Sequence, residues 1–186
     1  GYTYKTVTIG TQEWMVENLR TTKYSDGTSI PNVTSNSDWK SLSTGAWCHY
    51  DNDSSQYDAT YGKLYNWYAV ETGKLCPTGW HVPTDAEWTV LTDYLAANGH
   101  SGREGTALKA TSGWNYVGNG TDDYGFLGLP GGYRYGDGGF YGIGSYGTWW
   151  SSSQYEYGEN DAWTRSLYPD LDDLGRYNGI KNYGFS

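Results

Sequence analysis

The segment PTDAEW at residues 83–88 decides the fold of this chain, because it marks the start of the clearest helix. Thr84 stands where an N-cap residue belongs, and Glu87 follows three residues later. In such a capping box the hydroxyl and the carboxylate each accept a hydrogen bond from an N–H group that the first helical turn leaves free. The apolar residues that follow at helical spacing are Trp88, Leu91 and Leu95. The sequence therefore predicts a helix over residues 84–97, ended by the Asn98-Gly99 pair.

Upstream of this helix the sequence predicts a β-hairpin and a second helix. Residues 4–9 alternate with the period of a strand, and residues 13–16 supply a second short strand after a turn that contains glycine. Residues 60–70 (TYGKLYNWYAV) place apolar side chains at helical spacing, which predicts a helix. Residues 32–45 are polar and predict a loop.

Downstream the chain changes character near residue 110. Residues 111–186 carry no helix signal and are dense in Gly, Tyr, Asp and Ser, whereas residues 1–110 contain both predicted helices. Short strands between glycine turns are predicted at 126–129, 132–135, 147–152, 162–168 and 184–186. No linker of different composition divides the chain. We therefore expect one α+β domain over residues 1–186, with a helix-containing scaffold half (1–110) and a loop-rich half (111–186).

The composition predicts an aromatic core and disfavours anionic partners. The chain has 186 residues, with 12 Lys+Arg against 21 Asp+Glu and a formal net charge of -9, so a nucleic-acid partner is not expected. No apolar run approaches the ~20 residues that span a bilayer, so membrane insertion is not expected either. With 10 Trp and 20 Tyr but few aliphatic side chains, the core is expected to be built from aromatic rings.

The same composition predicts the cellular location, which in turn bears on whether the two cysteines pair. Sequences rich in rings and turns are typical of secreted binding modules, so we expect an extracellular or cell-surface location; no signal peptide is visible in the chain. Cys48 and Cys76 would pair in an exported protein and remain free in a cytosolic one, and the residues leave both alternatives open. Together with three histidines at unrelated spacing, they do not form a zinc motif.

Acidic clusters raise the question of calcium. Asp51, Asp53 and Asp58 lie close together and are the candidate metal ligands, because calcium prefers several oxygen ligands around a tight turn. The EF-hand pattern fails, since Gln56 stands where the turn glycine belongs and no Glu closes the loop. The alternative interpretation is an Asx-rich turn, and the same two interpretations apply to the acidic residues at 170–173.

No distinctive catalytic constellation is visible. A glycoside hydrolase needs a pair of carboxylates in a special setting, and none of the acidic residues stands in one. The Gly-x-Ser-x-Gly elbow of a serine hydrolase is absent from the sequence. We therefore expect a protein without catalytic activity that requires no cofactor, with calcium as the one alternative. A glycoside hydrolase and a structural cell-surface module remain the alternative functions.

The late tyrosines are the stronger functional signal. Residues 133–182 alternate Tyr with Gly, Asp, Asn and Ser. Tyr gives a wide contact area at little cost in rotamer entropy, and small polar residues supply adaptable hydrogen bonds, which is the chemistry of recognition loops. The same groups suit sugars, whose C–H faces stack on rings. The alternative is that the rings only fill the core.

We divide the aromatic residues between these two roles. Those expected to be mostly core are Trp149, Trp150 and Trp163. Those expected to be mostly on the surface are Tyr135, Tyr141, Tyr155, Tyr157, Tyr168 and Tyr177. The candidate ligand-binding residues are Tyr135, Asp137, Tyr141, Tyr146, Gln154, Tyr155, Tyr157, Asn160, Tyr168, Asp170, Asp172, Arg176, Tyr177 and Asn178.

Five motifs are long enough to be specific. They are QEWMVENL (12–19), YGKLYNWYAV (61–70), CPTGWHVPT (76–84), LPGGYR (129–134) and GSYGTWWSSS (144–153). These motifs resemble those of the Fibrobacter succinogenes major paralogous domain, over nearly the whole chain. The resemblance implies a C-type lectin-like fold, in the branch that includes formylglycine-generating enzymes, with two helices, short antiparallel strands and long Gly/Tyr-rich loops. It also implies an exported or surface protein of bacteria.

Two departures limit what this resemblance implies. Formylglycine-generating enzymes use a reactive cysteine pair late in the chain, and this sequence has no cysteine after Cys76, so that activity is not implied. Family members usually continue past the GFS motif at 184–186 into a strand with a cysteine, which in lectin-like folds often bonds to one at the position of Cys76. The resemblance therefore implies an early end of the sequence, a free Cys76, or a bond from Cys76 to Cys48.

A second resemblance is to proteins whose sequences vary at a binding face. Proteins diversified by retroelements often place a variable binding face, rich in Tyr, Asn, Asp, Ser and Gly, late in a lectin-like domain, and residues 135–182 look like such a face. The expected function is thus a ligand-binding module, lectin-like or adhesin-like, that recognises a glycan or a surface protein. The sequence leaves its oligomeric state and the identity of its ligand open.

Overall fold

A computed structural model describes residues 2–186. The helices of this part of the chain are α1 (Asn36–Lys40), α2 (Ser54–Tyr61), α3 (Trp67–Val70), α4 (Asp85–Leu95) and α5 (Glu104–Leu108). A 3-10 turn (Tyr50–Asn52) precedes α2, and a π-helical turn (Ala96–His100) extends α4. None of these helices is long and apolar enough to cross a bilayer.

Four small antiparallel sheets accompany the helices. The strands are β1 (Thr6–Ile9), β2 (Gln12–Met15), β3 (Trp47–Cys48), β4 (Leu64–Tyr65), β5 (Gly131–Arg134), β6 (Phe140–Ile143), β7 (Gly147–Gln154), β8 (Asp161–Leu167) and β9 (Gly175–Ile180). They pair as β1-β2, β3-β4, β5-β6 and β7-β8-β9. The combination of helices with antiparallel sheets confirms the α+β class.

Two predicted elements of the first half are confirmed. The predicted hairpin is β1-β2, in which Val7 pairs with Trp14. The capping box of α4 is complete, because the Thr84 hydroxyl accepts from the Glu87 N–H at 3.2 Å and the Glu87 carboxylate accepts from the Thr84 N–H at 2.8 Å. The predicted inward residues Trp88, Leu91 and Leu95 are all buried.

The predicted helix over residues 60–70 is wrong. Helix α2 ends at Tyr61, β4 follows, and α3 begins only after Asn66, whose side chain caps it by accepting from the Ala69 N–H at 3.2 Å. The break occurs at Gly62, which has φ 68° and packs so closely that a Cβ there would lie 2.9 Å from the carbonyl oxygens of Asn18 and Leu19. Helical spacing of apolar residues was misleading, because both residues of β4 are buried in a sheet.

Other boundaries differ as well. The predicted loop over 32–45 contains α1, whose Trp39 is fully buried. Residues 126–129 and 184–186 form isolated bridges instead of strands. Strands β6 and β9 were not predicted, because their sequences FYGI and GRYNGI lack the alternation of a half-buried strand.

The adjacent Trp149 and Trp150 lie on opposite faces of the β7-β8-β9 sheet. Trp149 is half-buried and packs against the cluster that contains Trp14, Trp88 and Phe126. Trp150 is buried in a second cluster, where its ring centroid lies 4.5 Å from that of Phe185. The third tryptophan expected in the core, Trp163, is only half-buried. The Arg176 guanidinium carbon lies 3.3 Å from the centroid of its ring.

Candidate functional site

Seven tyrosine rings form a continuous row on the second half of the molecule. In order along this tyrosine row they are Tyr177, Tyr168, Tyr146, Tyr133, Tyr141, Tyr135 and Tyr183. Consecutive ring centroids lie 4.5–6.1 Å apart, with angles of 35–87° between ring planes. These are the distances of edge-to-face and tilted aromatic pairs, so the rings support one another.

The row is assembled from five segments. Tyr133 and Tyr141 are directly opposite in the β5-β6 register, so they lie on the same face of that hairpin. Tyr146 precedes β7, and its ring occupies the space where a Cβ of Gly142 would stand; Gly142 also has φ 74°, so glycine is required there. Tyr168 directly follows β8, Tyr177 lies in β9, and Tyr183 comes after β9.

The row packs against the core at two rings and exposes three others to solvent. Tyr133 and Tyr183 both pack against Phe185, with ring centroids 6.0 Å apart in each pair. Tyr135, Tyr141 and Tyr177 are 42%, 47% and 43% exposed. The remaining rings are half-buried. The result is a preformed aromatic platform with three exposed rings.

The predicted binding residues do not all lie on this platform. Pairing of Thr164 with Tyr177 places Tyr177 on one face of the sheet, and pairing of Arg165 with Arg176 places Arg176 on the other, because successive side chains of a strand alternate. Trp163 shares the face of Arg176.

A second aromatic group therefore lies apart from the row. Tyr155 packs edge-on against Trp163 at 4.7 Å and against Tyr157 at 5.5 Å. Tyr157 is 81% exposed, whereas Tyr155, expected on the surface, is half-buried, as is Tyr168 in the row. The Arg176 guanidinium donates to Asp85 at 2.8 Å, so it is held in the structure and is not free to meet a ligand.

The remaining predicted residues are polar and exposed, except for the half-buried Tyr146. Asp137 closes the turn between β5 and β6 by accepting from the Gly139 N–H at 2.8 Å. Asp172 accepts from the Thr106 hydroxyl at 2.7 Å. The other exposed members are Gln154, Asn160, Asp170 and Asn178.

Within residues 131–186, which supply the row, no basic side chain is both exposed and unpaired. The basic residues of the segment 131–186 are Arg134, Arg165, Arg176 and Lys181. All except Arg176 are buried, and Arg176 is bound to Asp85. Carboxylates of Asp137, Asp170 and Asp172 are exposed. The electrostatic setting of the second half thus suits a neutral or cationic ligand.

The predicted calcium ligands Asp51, Asp53 and Asp58 do not form a metal-binding group among residues 2–186. The Asp53 carboxylate caps α2 and accepts from Ser55 and Gln56. The Asp58 carboxylate binds Lys63 at 2.7 Å and His49 at 3.0 Å. Burial acts to raise the pKa of Asp58, but the hydrogen bond and charge of Lys63 outweigh it, so that pKa lies below its usual value. Within residues 2–186, no group of three His, Cys, Asp or Glu side chains could hold a metal ion.

Cys48 and Cys76 are both free, so the disulfide between them is not formed. Cys48 is fully buried beside Trp39, Tyr50 and Leu64, and Cys76 is half-buried. Burial raises the pKa of each thiol to about 12, so both are protonated at neutral pH. An activated cysteine nucleophile would need the opposite shift.

The described chain also contains an apolar cavity of about 140 Å³ away from the row. Its walls include Cys76, Trp14, Trp88, Trp149 and Trp150. A second cavity of about 350 Å³, with Trp14 also in its wall, includes the pair formed by His81 and Glu87 at 2.9 Å. None of the predicted ligand-binding residues lines either cavity.

Sequence reasoning missed two members of the row. Tyr133 and Tyr183 were not among the predicted binding residues, although both lie within or next to the segment that alternates Tyr with small polar residues. Their role depends on contacts with Phe185, Tyr135 and Tyr141, which come from other segments. The LPGGYR motif, in which Tyr133 stands, could have indicated Tyr133 but not Tyr183.

Comparisons with known proteins identify one family. A family model described as the Fibrobacter succinogenes major domain matches residues 7–186. No curated protein and no solved structure matches the chain.

Proposed function

Since the chain belongs to the Fibrobacter succinogenes major domain family, we propose that it is a non-catalytic binding module of this family that grips its ligand with the tyrosine row. The single observation that carries the proposal is the continuity of the row, with exposed rings at Tyr135, Tyr141 and Tyr177. A row of seven rings exceeds what a core needs at that position, because three of them face solvent.

Rigidity supports the same function. A binding surface that is ordered before the ligand arrives loses less conformational entropy on binding. In the row each ring contacts the next, and Tyr133 and Tyr183 contact the core through Phe185. The exposed rings are therefore held in place without a ligand, as tyrosines are in matured recognition loops.

The chemistry of the surface supports a glycan or a surface protein as the ligand. Tyrosine faces stack on the C–H groups of sugars or on apolar protein side chains, and the phenol and the exposed carboxylates form hydrogen bonds. The absence of a free cation in segment 131–186 disfavours anionic polymers. We propose further that the fold is C-type lectin-like, that the protein acts at or outside the cell surface, and that residues 135–182 include a diversified face.

Binding arrays test the proposal. Folded wild-type protein is applied to a glycan array and to an array of purified cell-surface proteins, and the dissociation constant of the best ligand is measured for Tyr135→Ala, Tyr141→Ala and Tyr177→Ala. We expect each substitution to weaken binding about tenfold, which is the loss for a buried aromatic contact at an interface. Melting temperatures should fall by only a few degrees, because these rings are partly exposed.

The matched control is Tyr94→Ala, which removes a 37% exposed tyrosine from α4, outside the row. It should bind like the wild type. The proposal fails if the folded protein binds on neither array, or if all row variants bind as tightly as Tyr94→Ala.

A further inference from the structure

A tight turn beside the row carries the two most exposed large apolar side chains of residues 2–186. In the segment WNYVGN at 114–119, Tyr116 is 88% exposed and Val117 is 97% exposed. The Gly118 N–H donates to the Asn115 carbonyl at 3.1 Å, which makes Tyr116 and Val117 the corner residues of the turn. We call this pair the apolar tip.

The base of the apolar tip is rigid. The Asn115 N–H donates to the Gly144 carbonyl at 2.7 Å, and its side-chain amide donates to the Ser145 hydroxyl at 3.1 Å. The neighbouring Trp114 is buried, and its indole N–H donates to the Gly128 carbonyl at 3.0 Å. Two apolar side chains are thus displayed by a fixed loop and not by a loose one.

The backbone of the tip is strained. Tyr116 has φ 58°, a left-handed conformation that costs a residue with a side chain roughly 1–2 kcal/mol. Such conformations persist where the surrounding structure enforces them, and they are concentrated at ligand-binding and switch sites. The strained conformation does not place the Tyr116 ring in the core, because that ring faces solvent.

The tip lies next to the tyrosine row. Its base binds Gly144, two residues before Tyr146 of the row. On its other side, a Cβ at Gly118 would overlap Pro169, which directly follows Tyr168 of the row. The ring centroids of Tyr146 and Tyr168 are 5.2 Å apart. The tip therefore extends the exposed aromatic surface.

An acidic loop completes this surface. Residues 170–173 present the carboxylates of Asp170, Asp172 and Asp173 and the 40% exposed side chain of Leu171. The buried Lys109 holds this loop in place, because its ammonium group donates to the carbonyls of Tyr168 and Leu171 at 3.0 and 2.9 Å. Since Lys109 is 2% exposed, the charge presented to a partner is negative.

The chemistry of the tip selects a protein over a sugar. An isopropyl group neither stacks on a sugar nor forms hydrogen bonds with it, so an almost fully exposed valine gains free energy only in an apolar pocket. A second copy of this chain is a poor match, because the lining of the apolar cavity described above includes the acidic side chains of Glu13 and Glu17. An anionic membrane would be repelled by the acidic loop.

We infer that the apolar tip inserts into an apolar pocket of a protein partner whose rim carries Lys or Arg side chains facing residues 170–173. This inference rests on the proposed function, because it names the partner class of the surface to which the tyrosine row belongs. Val117 and Tyr116 are the anchors, and the acidic loop accelerates the encounter.

The test uses defined probes. Wild-type protein is applied to an array of purified cell-surface proteins, to a glycan array, and to vesicles of phosphatidylcholine with and without phosphatidylglycerol. We expect binding on the protein array. For the strongest binder, Val117→Ser and Tyr116→Gly should each raise the dissociation constant about tenfold or more. The association rate should fall several-fold between ~50 and ~500 mM NaCl.

Two controls separate binding from folding. Val90→Ser makes the same change at a 47% exposed valine of α4 and should leave the dissociation constant unchanged. Tyr116→Gly should melt within a few degrees of the wild type, because relief of left-handed strain offsets the greater flexibility of glycine.

The outcomes distinguish this inference from the proposed function. If Tyr141→Ala weakens binding but Val117→Ser does not, or if only glycans bind, the tip inference is wrong and the proposed function stands. If Val117→Ser abolishes binding to vesicles, or abolishes self-association seen by light scattering, a membrane or a second copy replaces the protein partner. If no probe binds the folded protein, both proposals fail.

Discussion

Arg134 shows how one residue fixes the hairpin that carries the row. It is fully buried at the end of β5. Its guanidinium donates to the carbonyls of Val33 and Gly138 at 2.6 and 2.9 Å, and also to the Thr34 carbonyl and the Asn36 side chain at 3.0 and 3.1 Å. A planar fork of donors can satisfy this set of acceptors, and a single ammonium group cannot.

Aromatic rings complete the setting of this cation. The guanidinium carbon of Arg134 lies 4.4 Å from the ring centroid of Trp39 and 4.7 Å from that of Phe140. Cation–π contacts of this kind strengthen when they are desolvated. One side chain thus joins β5 and β6 to α1, which comes from a segment almost 100 residues earlier in the chain.

Arg134→Met should destabilise the protein by about 3 kcal/mol or more, because one buried and three part-buried hydrogen bonds lose their donor at roughly 1 kcal/mol each. Urea denaturation measures the free energy of unfolding. Arg103→Met, at an exposed arginine, is the control and should change stability little. A loss below about 1 kcal/mol for Arg134→Met would contradict this account.

At the scale of elements, the start of α4 joins the helix to the sheet. Asp85 is the first residue of α4, where a carboxylate also interacts favourably with the helix dipole. It accepts from Arg165 of β8 at 2.7 Å and from Arg176 of β9 at 2.8 Å. Burial acts to raise the pKa of Asp85, but the hydrogen bonds from Arg176 and Arg165 outweigh it, so that pKa lies below its usual value.

The sign of this shift predicts a loss of stability in acid. A carboxyl group with a lowered pKa in the folded state stabilises the fold above its unfolded pKa of about 4, and the contribution is lost as the pH falls through the folded value. Asp85→Asn should therefore be less stable than the wild type at pH 7, with the difference shrinking near pH 3. Free energies of unfolding at both pH values measure this.

Asp93→Asn provides the comparison, because Asp93 is an exposed carboxylate of the same helix. Its stability should follow that of the wild type at both pH values. If Asp85→Asn showed the same deficit at pH 3 as at pH 7, the ion pairs would not be the source of the stabilisation.

At the scale of the whole molecule, the β7-β8-β9 sheet separates two aromatic clusters. Trp149 belongs to the side of α4 and the β1-β2 hairpin, and Trp150 to the side of β4 and α3. The Trp150 indole N–H donates to the Tyr65 carbonyl at 2.8 Å, whereas that of Trp149 donates to the Asn18 side chain at 3.0 Å. The two neighbours therefore hold different halves of the fold to one sheet.

Their different burial gives a paired prediction. Trp150→Ala should cost about 3–5 kcal/mol, because a 2% exposed ring leaves a cavity on removal. Trp149→Ala should cost less, about 1–3 kcal/mol, because Trp149 is half-buried. Denaturant unfolding of the two variants provides the measurement. Equal losses, or a larger loss for Trp149→Ala, would contradict the division of the core.

The sequence alone determined the elements that depend on interactions between residues close together in the chain. The capping box of Thr84 and Glu87 joins residues three positions apart, and the β1-β2 hairpin joins neighbours across a short turn, so both were visible as patterns. The α+β class and the family followed from such patterns and from the motifs. The helix over 60–70 failed because Gly62 breaks it, and Lys63 binds Asp58, one of the three predicted calcium ligands, through a contact that the sequence pattern did not show.

Long-range contacts decided the rest. The tyrosine row joins rings from five segments, and its continuity depends on how the β5-β6 hairpin packs beside β8, β9 and the residues after them. Because side chains alternate along a strand, Tyr177 and Arg176 lie on opposite faces of the sheet. The prediction that both residues bind the ligand did not take these faces into account. Whether a ring meets solvent or another ring is set by chain segments far away in sequence, and only the tertiary structure brings them together.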